Sequence, residues 1–189
     1  STGTVLKQTL GLSNMTQNGS GVTVAVIDSG IAPVGDFGSR IKAFYDFTRG
    51  GIMARPYDDY GHGTHVAGLI GGTQSSKDAA YQGVASSVQF VGLKVLNKKG
   101  QGKTSNVIRA IEFAIANKKR FRIDIITLSL GHPIFEPAAT DPLVQAVERA
   151  VRAGIVVVVS AGNIGRNPQT GEVGYAGISA TGNAAAAIT

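Results

Sequence analysis

Four short, β-branched apolar runs recur along this chain, and segments with helical spacing separate them. The runs occupy residues 22–28, 89–96, 123–130 and 155–159, and the alanine-rich tail that ends at Thr189 is a candidate fifth strand. Short apolar runs bounded by glycine and polar residues are typical of strands that are buried on both faces. Because strands that alternate with helices are joined by right-handed crossovers, the pattern predicts an α/β fold with a mainly parallel sheet and helices on both faces.

Two segments show the apolar spacing of amphipathic helices. Residues 104–117 place apolar side chains three and four apart, with Thr104 or Ser105 as the candidate N-cap. Residues 142–153 follow Asp141, a favourable N-cap, and begin with a proline at the first helical position. Both segments lie between predicted strands, so we expect them to cover the sheet.

Length and composition fit one folded domain. The 189 residues, 43% of them hydrophobic, can bury one sizeable core, so we expect residues 1–189 to form a single domain.

No apolar stretch approaches the ~20 residues that a membrane-spanning helix requires, and we expect a soluble protein without a membrane partner. The chain has no cysteine, which excludes disulfides and thiol catalysis within it. It begins at Ser1 rather than at methionine, so we expect a processed or excised product.

The chain is basic, which raises the question of nucleic-acid binding. Eighteen Lys and Arg residues against twelve Asp and Glu residues give a formal net charge of +6. The basic residues cluster at Lys98, Lys99 and Lys103 and again at Lys118, Lys119, Arg120 and Arg122. The second cluster follows a predicted helix, where cations complement the partial negative charge of the helix C-terminus. We therefore expect a structural role for it and no nucleic-acid partner.

Polar residues lie at or just after the end of three of the four apolar runs. They are Asp28, Ser129 and Asn163. Ligands of parallel α/β sheets bind at the carboxyl ends of the strands, so these residues mark the expected position of a site. Taken one at a time, Asp28 and Asn163 are also residues that turns favour. Their position alone leaves a turn role and a chemical role open.

The segment GHGTHVAG contains two histidines, His62 and His65, at the start of a third predicted helix that stops at Gly71 and Gly72. Zinc-binding helices of metalloproteases use H-E-x-x-H, with the histidines four residues apart and a glutamate after the first. Here the spacing is three and the glutamate is missing, which argues against zinc. We expect the ring of His62 to be accessible at the start of the helix and His65, one turn on toward the apolar face, to have a packing or hydrogen-bonding role.

Four segments together resemble the motifs of the subtilisin-like peptidase family. They are VAVIDSGI, GHGTHVAG, SLG and SAGN, and they occur in the family's order on the expected elements. The resemblance implies a subtilisin-like fold and a secreted serine endopeptidase that acts on polypeptide substrates. It assigns Asp28 as the residue that orients His62, His62 as the general base and Asn163 as the oxyanion donor.

The same resemblance implies a groove in which an extended substrate pairs with the main chain of the enzyme by β-augmentation. The residues concerned are Ser129, Leu130 and Gly131 on one side and Gly100, Gln101 and Gly102 on the other. Without the resemblance, these residues read as ordinary strand and turn residues. Their assignment to substrate binding therefore rests on the family pattern.

One motif of the family pattern is missing from the chain. The family's nucleophile lies in a G-T-S-x-A type segment several dozen residues beyond SAGN, and no such segment occurs before Thr189. No G-x-S-x-G motif replaces it. We therefore expect a catalytic domain that is truncated before the serine-bearing helix and inactive by itself. A C-terminal fragment that carries the serine is a candidate partner.

Two other functions stay open from the sequence. The first is a non-catalytic fragment or pseudoprotease that binds extended peptides in the same groove, and a serine further along the full sequence would separate it from a peptidase. The second is a nucleotide-binding α/β domain. The G-x-G-x-x-G segment that such domains place after their first strand is absent here, which argues against it.

No cofactor is expected for the chemistry, whereas structural calcium is left open. Members of the family often hold calcium in an asparagine-rich loop after the histidine helix, and here that loop reads GGTQSSKDAAYQG. It contains Lys77 and lacks the asparagines, although Asp36 matches the family's supporting carboxylate. The metal-binding residues are therefore unknown.

Overall fold

A six-stranded sheet forms the centre of the fold. The computed structural model describes residues 5–73, 82–162, 164–166, 170 and 173–189. The strands of the sheet are β1 (Thr23–Asp28), β2 (Ile41–Asp46), β3 (Ile52–Met53), β4 (Gln89–Lys94), β5 (Ile123–Leu128) and β6 (Val156–Val159). Their order is β3-β2-β4-β1-β5-β6, and every neighbouring pair except β2 and β3 is parallel. The predicted α/β fold with a mainly parallel sheet is confirmed.

The four predicted apolar runs correspond to β1, β4, β5 and β6. The strand β2 has the sequence IKAFYD, in which Lys42 and Asp46 interrupt the apolar pattern, and the sequence did not predict it. The alanine-rich tail does not form the expected strand, because it pairs with the sheet only through a single parallel bridge from Ile188 to Val158. A separate antiparallel pair joins β7 (Ile164–Arg166) to β8 (Val173–Gly177).

Helices cover both faces of the sheet. The α-helices of the described residues are α1 (Val5–Thr9), α2 (His62–Gly71), α3 (Thr104–Ala116), α4 (Lys118–Phe121) and α5 (Pro142–Arg152). Along β1, Ala25 and Ile27 belong to the core cluster that α3 and α5 complete. Val24 and Val26 belong to the opposite cluster, which contains Ala67 of α2. The predicted placement of helices on both faces is confirmed, and no helix in the described parts of the chain could span a lipid bilayer.

The predicted helix caps are correct for α5 and wrong for α3. Oδ1 of Asp141 accepts hydrogen bonds from the N–H groups of Leu143 at 2.8 Å and Val144 at 3.2 Å, which is the expected cap of α5. The N-cap residue of α3 is Lys103, whose backbone is extended and whose side chain makes no capping hydrogen bond. A hydroxyl cap fails here because Thr104 is already the first helical residue.

Lys118 of the second basic cluster has a structural role. Its Nζ donates to the carbonyl oxygens of Ala153 at 2.8 Å and Gly154 at 2.9 Å. These carbonyls lie at the C-terminal end of α5, where a cation complements the helix dipole. The predicted stabilisation of a helix end is therefore observed, although the helix concerned is α5 and not the one that precedes the cluster.

Candidate active site

The carboxyl ends of the parallel strands define the candidate site. The strands β1, β4, β5 and β6 run in one direction and end at Asp28, Lys94, Leu128 and Val159. The loops that follow these strands therefore meet at one edge of the sheet, which is where parallel α/β sheets bind their ligands. The helix α2 begins at this edge with His62.

Asp28 and His62 form the central contact at this edge. Nδ1 of His62 lies 2.8 Å from Oδ1 and 2.9 Å from Oδ2 of Asp28. Asp28 is 1% exposed, whereas the side chain of His62 is 41% exposed. A buried carboxylate thus holds one ring nitrogen, which fixes the ring and leaves Nε2 to exchange a proton with a reacting group. The expected accessibility of His62 is confirmed.

Two glycines let α2 approach β1 closely enough for this contact. A Cβ at Gly63 would collide with the carbonyl oxygen of Gly30 and would lie 3.0 Å from Cβ of Asp28. Gly30 has a φ of +130°, and a Cβ there would collide with the carbonyl oxygen of Tyr57. Because only glycine fits both positions, the segments DSG and GHG help to bring Asp28 and His62 together.

Ser29 links the end of β1 to the start of α2. Its backbone N–H donates to Oδ1 of Asp28 at 2.6 Å. Its hydroxyl donates to Oδ1 of Asp58 at 2.9 Å and accepts from the N–H of Gly63 at 2.9 Å. The residue is completely buried, so solvent does not compete for these bonds. Ser29 is therefore a structural link next to Asp28 and is not placed as a nucleophile.

Asp58 caps the amino-terminal end of α2 from the preceding loop. Its carboxylate accepts from the N–H groups of Tyr60 at 3.1 Å, Gly61 at 2.8 Å and Thr64 at 2.9 Å, and from the Thr64 hydroxyl at 2.6 Å. Burial would raise the pKa of this carboxyl, but hydrogen bonds from Thr64, Gly61 and Ser29 outweigh burial and lower the pKa to about 2. Asp58 was not predicted from the sequence, although an aspartate shortly before a helix is a known capping signal.

The predicted packing role of His65 is wrong. Its side chain is exposed. Ala67, which faces the sheet, is two residues further along α2, so the two side chains point in roughly opposite directions at about 100° per residue. His65 instead lines an outer cleft of about 540 Å³ together with Leu6 and Leu69.

The segment Ser129–Gly131 forms part of a cleft with a volume of about 270 Å³. The cleft is lined by Ser129, Leu130 and Gly131 together with Ser160, Gly162 and Ser179. The structure thus brings the SLG segment together with the first residues of the SAGN motif. Asn163 itself lies outside the described residues.

The second predicted wall of the groove lies in the loop after β4. It comprises Gly100, Gln101 and Gly102. Gly100 has a φ of +70° and packs against Tyr60, since a Cβ at Gly100 would lie 2.5 Å from Cζ of that ring. The ring centroids of Tyr60 and His62 are 6.5 Å apart, so Tyr60 is close to both Gly100 and the histidine. The other two residues line a separate cleft of about 490 Å³ beside Arg49.

The described residues contain no group of three or more histidine or acidic side chains that could hold a metal ion. The loop expected to hold calcium includes residues 74–81, and with them Lys77, which lie outside the described residues. Next to this loop, the carbonyl oxygen of Asp36 accepts from the hydroxyl of Thr73 at 2.8 Å. Calcium binding therefore stays a prediction.

Comparison with known proteins agrees with the resemblance in the motifs. Residues 19–189 match the model of the Subtilase family. Serine protease AprX of Bacillus subtilis (strain 168) is 42% identical over 163 residues, which cover 84% of this chain and 36% of AprX. Subtilisin E of the same organism is 41% identical over 159 residues, which cover 83% of this chain and 38% of that protein.

A comparison of structures gives the same result for the fold. The solved structure of Sphericase has a TM-score of 0.73 and 30% sequence identity, and the match covers 90% of this chain and 55% of Sphericase. The chain therefore spans less than two thirds of each of these three proteins.

Proposed function

The chain belongs to the subtilase family, and we propose that the protein is a serine endopeptidase whose active site includes Asp28 and His62. One observation carries this proposal. Both carboxylate oxygens of the buried Asp28 lie within hydrogen-bonding distance of Nδ1 of His62, whose ring is accessible. A turn role for Asp28 would not account for this contact, whereas a general base needs its ring held in this way.

In the proposed mechanism, Asp28 orients the imidazole and stabilises the imidazolium that forms when His62 takes the proton of a serine hydroxyl. The serine oxygen attacks the carbonyl carbon of the scissile peptide bond, and the negative charge moves to the carbonyl oxygen. His62 then gives its proton to the leaving amine as the C–N bond breaks. Water hydrolyses the resulting acyl-enzyme by the same steps, and no cofactor takes part.

Asn163 is the proposed donor to the carbonyl oxygen in this mechanism. Two residues shortly before it, Ser160 and Gly162, line the cleft that the SLG segment also lines, which supports the proposal. The negative charge exists only in the tetrahedral intermediate. A donor placed for it therefore raises the rate of reaction and has little effect on substrate affinity.

Polypeptides are the proposed substrates, bound as an extended strand between Ser129–Gly131 and Gly100–Gly102. The cleft at the first segment and the contact of Gly100 with Tyr60, next to His62, support this placement. Pairing through main-chain groups accepts many side chains, so this mode of binding fits an endopeptidase of broad specificity. Secretion and structural calcium belong to the same proposal and rest on the family alone.

The nucleophile is proposed to come from a part of the protein outside residues 1–189. These residues contain no G-T-S-x-A segment. Ser29, the serine next to Asp28, has its hydroxyl engaged by Asp58 and by the N–H of Gly63. Residues 1–189 alone are therefore expected not to hydrolyse peptides, and a C-terminal fragment that carries the serine is expected to restore activity.

Covalent labelling with a fluorophosphonate tests this function, because the reagent bonds to a serine oxygen that a neighbouring base activates. We expect the full-length protein to be labelled stoichiometrically and to hydrolyse peptides, and we expect His62→Gln to lose both properties. Residues 1–189 should do neither, with intact mass as the check for contaminating longer protein. Labelling of residues 1–189 would contradict the location of the nucleophile, and an unlabelled, inactive full-length protein would contradict the function.

A further inference from the structure

A buried lysine that the mechanism above does not use lies next to the candidate catalytic pair. Lys94 is the last residue of β4 and is 1% exposed. Its Nζ donates to the carbonyl oxygens of Ser29 at 2.6 Å and Leu96 at 2.7 Å and to Oδ1 of Asp59 at 2.6 Å. All three donors of the ammonium group therefore have partners. Burial of a charged group costs free energy even when the group is paired, so the presence of a buried lysine in a mostly apolar strand requires an explanation other than stability.

The ends of β1 and β4 are held together around Asp28. In the parallel pairing of these strands, Asp28 lies opposite Lys94. The N–H groups of Val95 and Leu96 lie 2.8 Å and 3.3 Å from the carbonyl oxygen of Asp28. Nζ of Lys94 binds the next carbonyl along, that of Ser29. Lys94 and the residues after it therefore fix the main chain that carries the Asp28 carboxylate.

Lys94 also reaches the loop that precedes His62. Its Nζ pairs with Asp59, whose side chain is 42% exposed, and lies 5.0 Å from the ring centroid of Tyr57. The Tyr57 hydroxyl donates to Oδ2 of Asp46 at 2.7 Å, and burial together with this bond raises the pKa of Tyr57 to about 12. Tyr57 therefore stays protonated near neutral pH and keeps its place over the ammonium. One buried group thus contacts both chain segments that carry the catalytic pair.

We propose that Lys94 is a positioning residue, whose hydrogen bonds to Ser29 and Asp59 set the placement of the Asp28 carboxylate relative to His62. The kinetic part of this inference rests on the proposed serine endopeptidase function, whereas the geometric part does not. Lys94 touches no reacting atom. Its removal therefore acts on the chemical step through the geometry of the pair and leaves substrate binding in place.

Steady-state kinetics of the full-length protein test the kinetic part. Lys94→Met keeps the length of the side chain but removes its donors and charge, so we expect kcat to fall on the order of 10- to 100-fold while KM changes less than about threefold. Lys94→Arg keeps the donors and charge and is expected to recover part of the loss. Glu112→Gln, which removes an exposed 2.6 Å ion pair with Arg149 elsewhere on the surface, is the control and should leave kcat unchanged. An unchanged kcat in Lys94→Met, or a loss that only follows the fraction of folded protein, would overturn the proposal.

Two substitutions at Asp59 separate positioning from charge balance. Both are expected to fold, because this side chain is partly exposed. Asp59→Asn keeps an oxygen that can accept from Nζ of Lys94, so kcat should stay within about threefold of the parent, whereas Asp59→Ala removes the acceptor and should fall below that range. Equal values of kcat in the two variants would overturn the proposal. If Lys94→Met does not fold, the comparison of Asp59→Asn with Asp59→Ala is sufficient to test the positioning role.

The geometric part has a spectroscopic test that does not depend on activity. In full-length protein labelled with ¹⁵N-histidine, we expect the ring N–H of His62 that bonds to Asp28 to give a downfield proton resonance, which His62→Gln assigns by its loss. We expect Lys94→Met to shift this resonance upfield or to broaden it, while the signals of the exposed His65 stay in place. An unchanged resonance in folded Lys94→Met would overturn the inference even in an active peptidase. A shifted resonance in a protein without peptidase activity would overturn the proposed function and support the positioning role.

Discussion

Ser29 donates its hydroxyl to Asp58 at 2.9 Å, and this hydrogen bond joins the strand that carries Asp28 to the loop that precedes His62. Asp58 also binds the N–H groups at the start of α2, so it holds the helix and the strand at the same time. The geometry of the Asp28–His62 pair therefore depends on Asp58, which hydrogen-bonds to neither of the two side chains.

We predict that, because of Asp58, the free energy of unfolding decreases as the pH falls into the acid range. Its pKa is lowered from 3.8 to about 2 in the folded state, so the unfolded chain binds this proton more readily. The stabilisation is complete above about pH 4 and is lost as the pH falls through about 2. Because the carboxyl is partly exposed, solvent screening reduces the effect to roughly 1 kcal/mol. Urea unfolding of the parent and of Asp58→Asn over this range of pH measures it.

We also predict the sign of the change in stability that Asp58→Asn causes. Near neutral pH the variant should be less stable than the parent by at least roughly 1 kcal/mol, because it lacks the charge-assisted hydrogen bonds of the carboxylate. The difference should shrink as the parent takes up its proton in acid. A difference that stays constant from neutral pH down to about pH 2 would show that titration of Asp58 does not contribute to stability.

The glycines Gly63 and Gly68 form a matched pair within α2. A Cβ at Gly63 would collide with the carbonyl oxygen of Gly30, whereas a Cβ at Gly68 would meet nothing within 4 Å. We predict that Gly63→Ala lowers the free energy of unfolding by on the order of 2 kcal/mol or more, because backbone must move. Gly68→Ala should be neutral or should stabilise by up to about 1 kcal/mol, since alanine favours the helix. Equal losses in urea unfolding of the two variants would rule out the contact with β1 as the cause.

The sheet and the contact between Asp28 and His62 were predictable because their signals are local. Apolar runs mark strands that are buried on both faces, and the short motifs around Asp28 and His62 each lie within a few residues of sequence. The strand β2 carries the polar residues Lys42 and Asp46, so its burial depends on neighbours that the segment itself does not reveal.

The supporting residues of the site depend on contacts that are remote in the sequence. Lys94 meets Ser29 across 65 residues and Asp59 across 35, and no local pattern indicates either partner. The orientation of His65 was mispredicted for a related reason. The glycine-rich α2 offers few apolar side chains to show which face meets the sheet, and only the packed structure shows that this face is that of Ala67.

Substitution of the two histidines in the full-length protein is expected to give different results. His62→Ala should abolish turnover with little change in stability, since the side chain is 41% exposed and is the proposed general base. His65→Ala should change neither turnover nor the melting temperature appreciably, because exposed side chains outside special contacts contribute little to stability. Peptide hydrolysis and thermal melts on both variants check this. Loss of turnover in His65→Ala with retention in His62→Ala would reverse the assignment.

Asn163→Ala in the full-length protein is predicted to lower kcat by about 100- to 1,000-fold, the loss known for the equivalent donor in subtilisin, with little change in KM. The reason is that the amide would bond to an oxygen that carries its charge only in the tetrahedral intermediate, so the ground-state complex loses little when the amide is removed. Steady-state kinetics measure the two constants separately, and a thermal melt establishes that the variant is folded. A folded Asn163→Ala protein whose kcat changes less than about threefold would exclude Asn163 as the oxyanion donor.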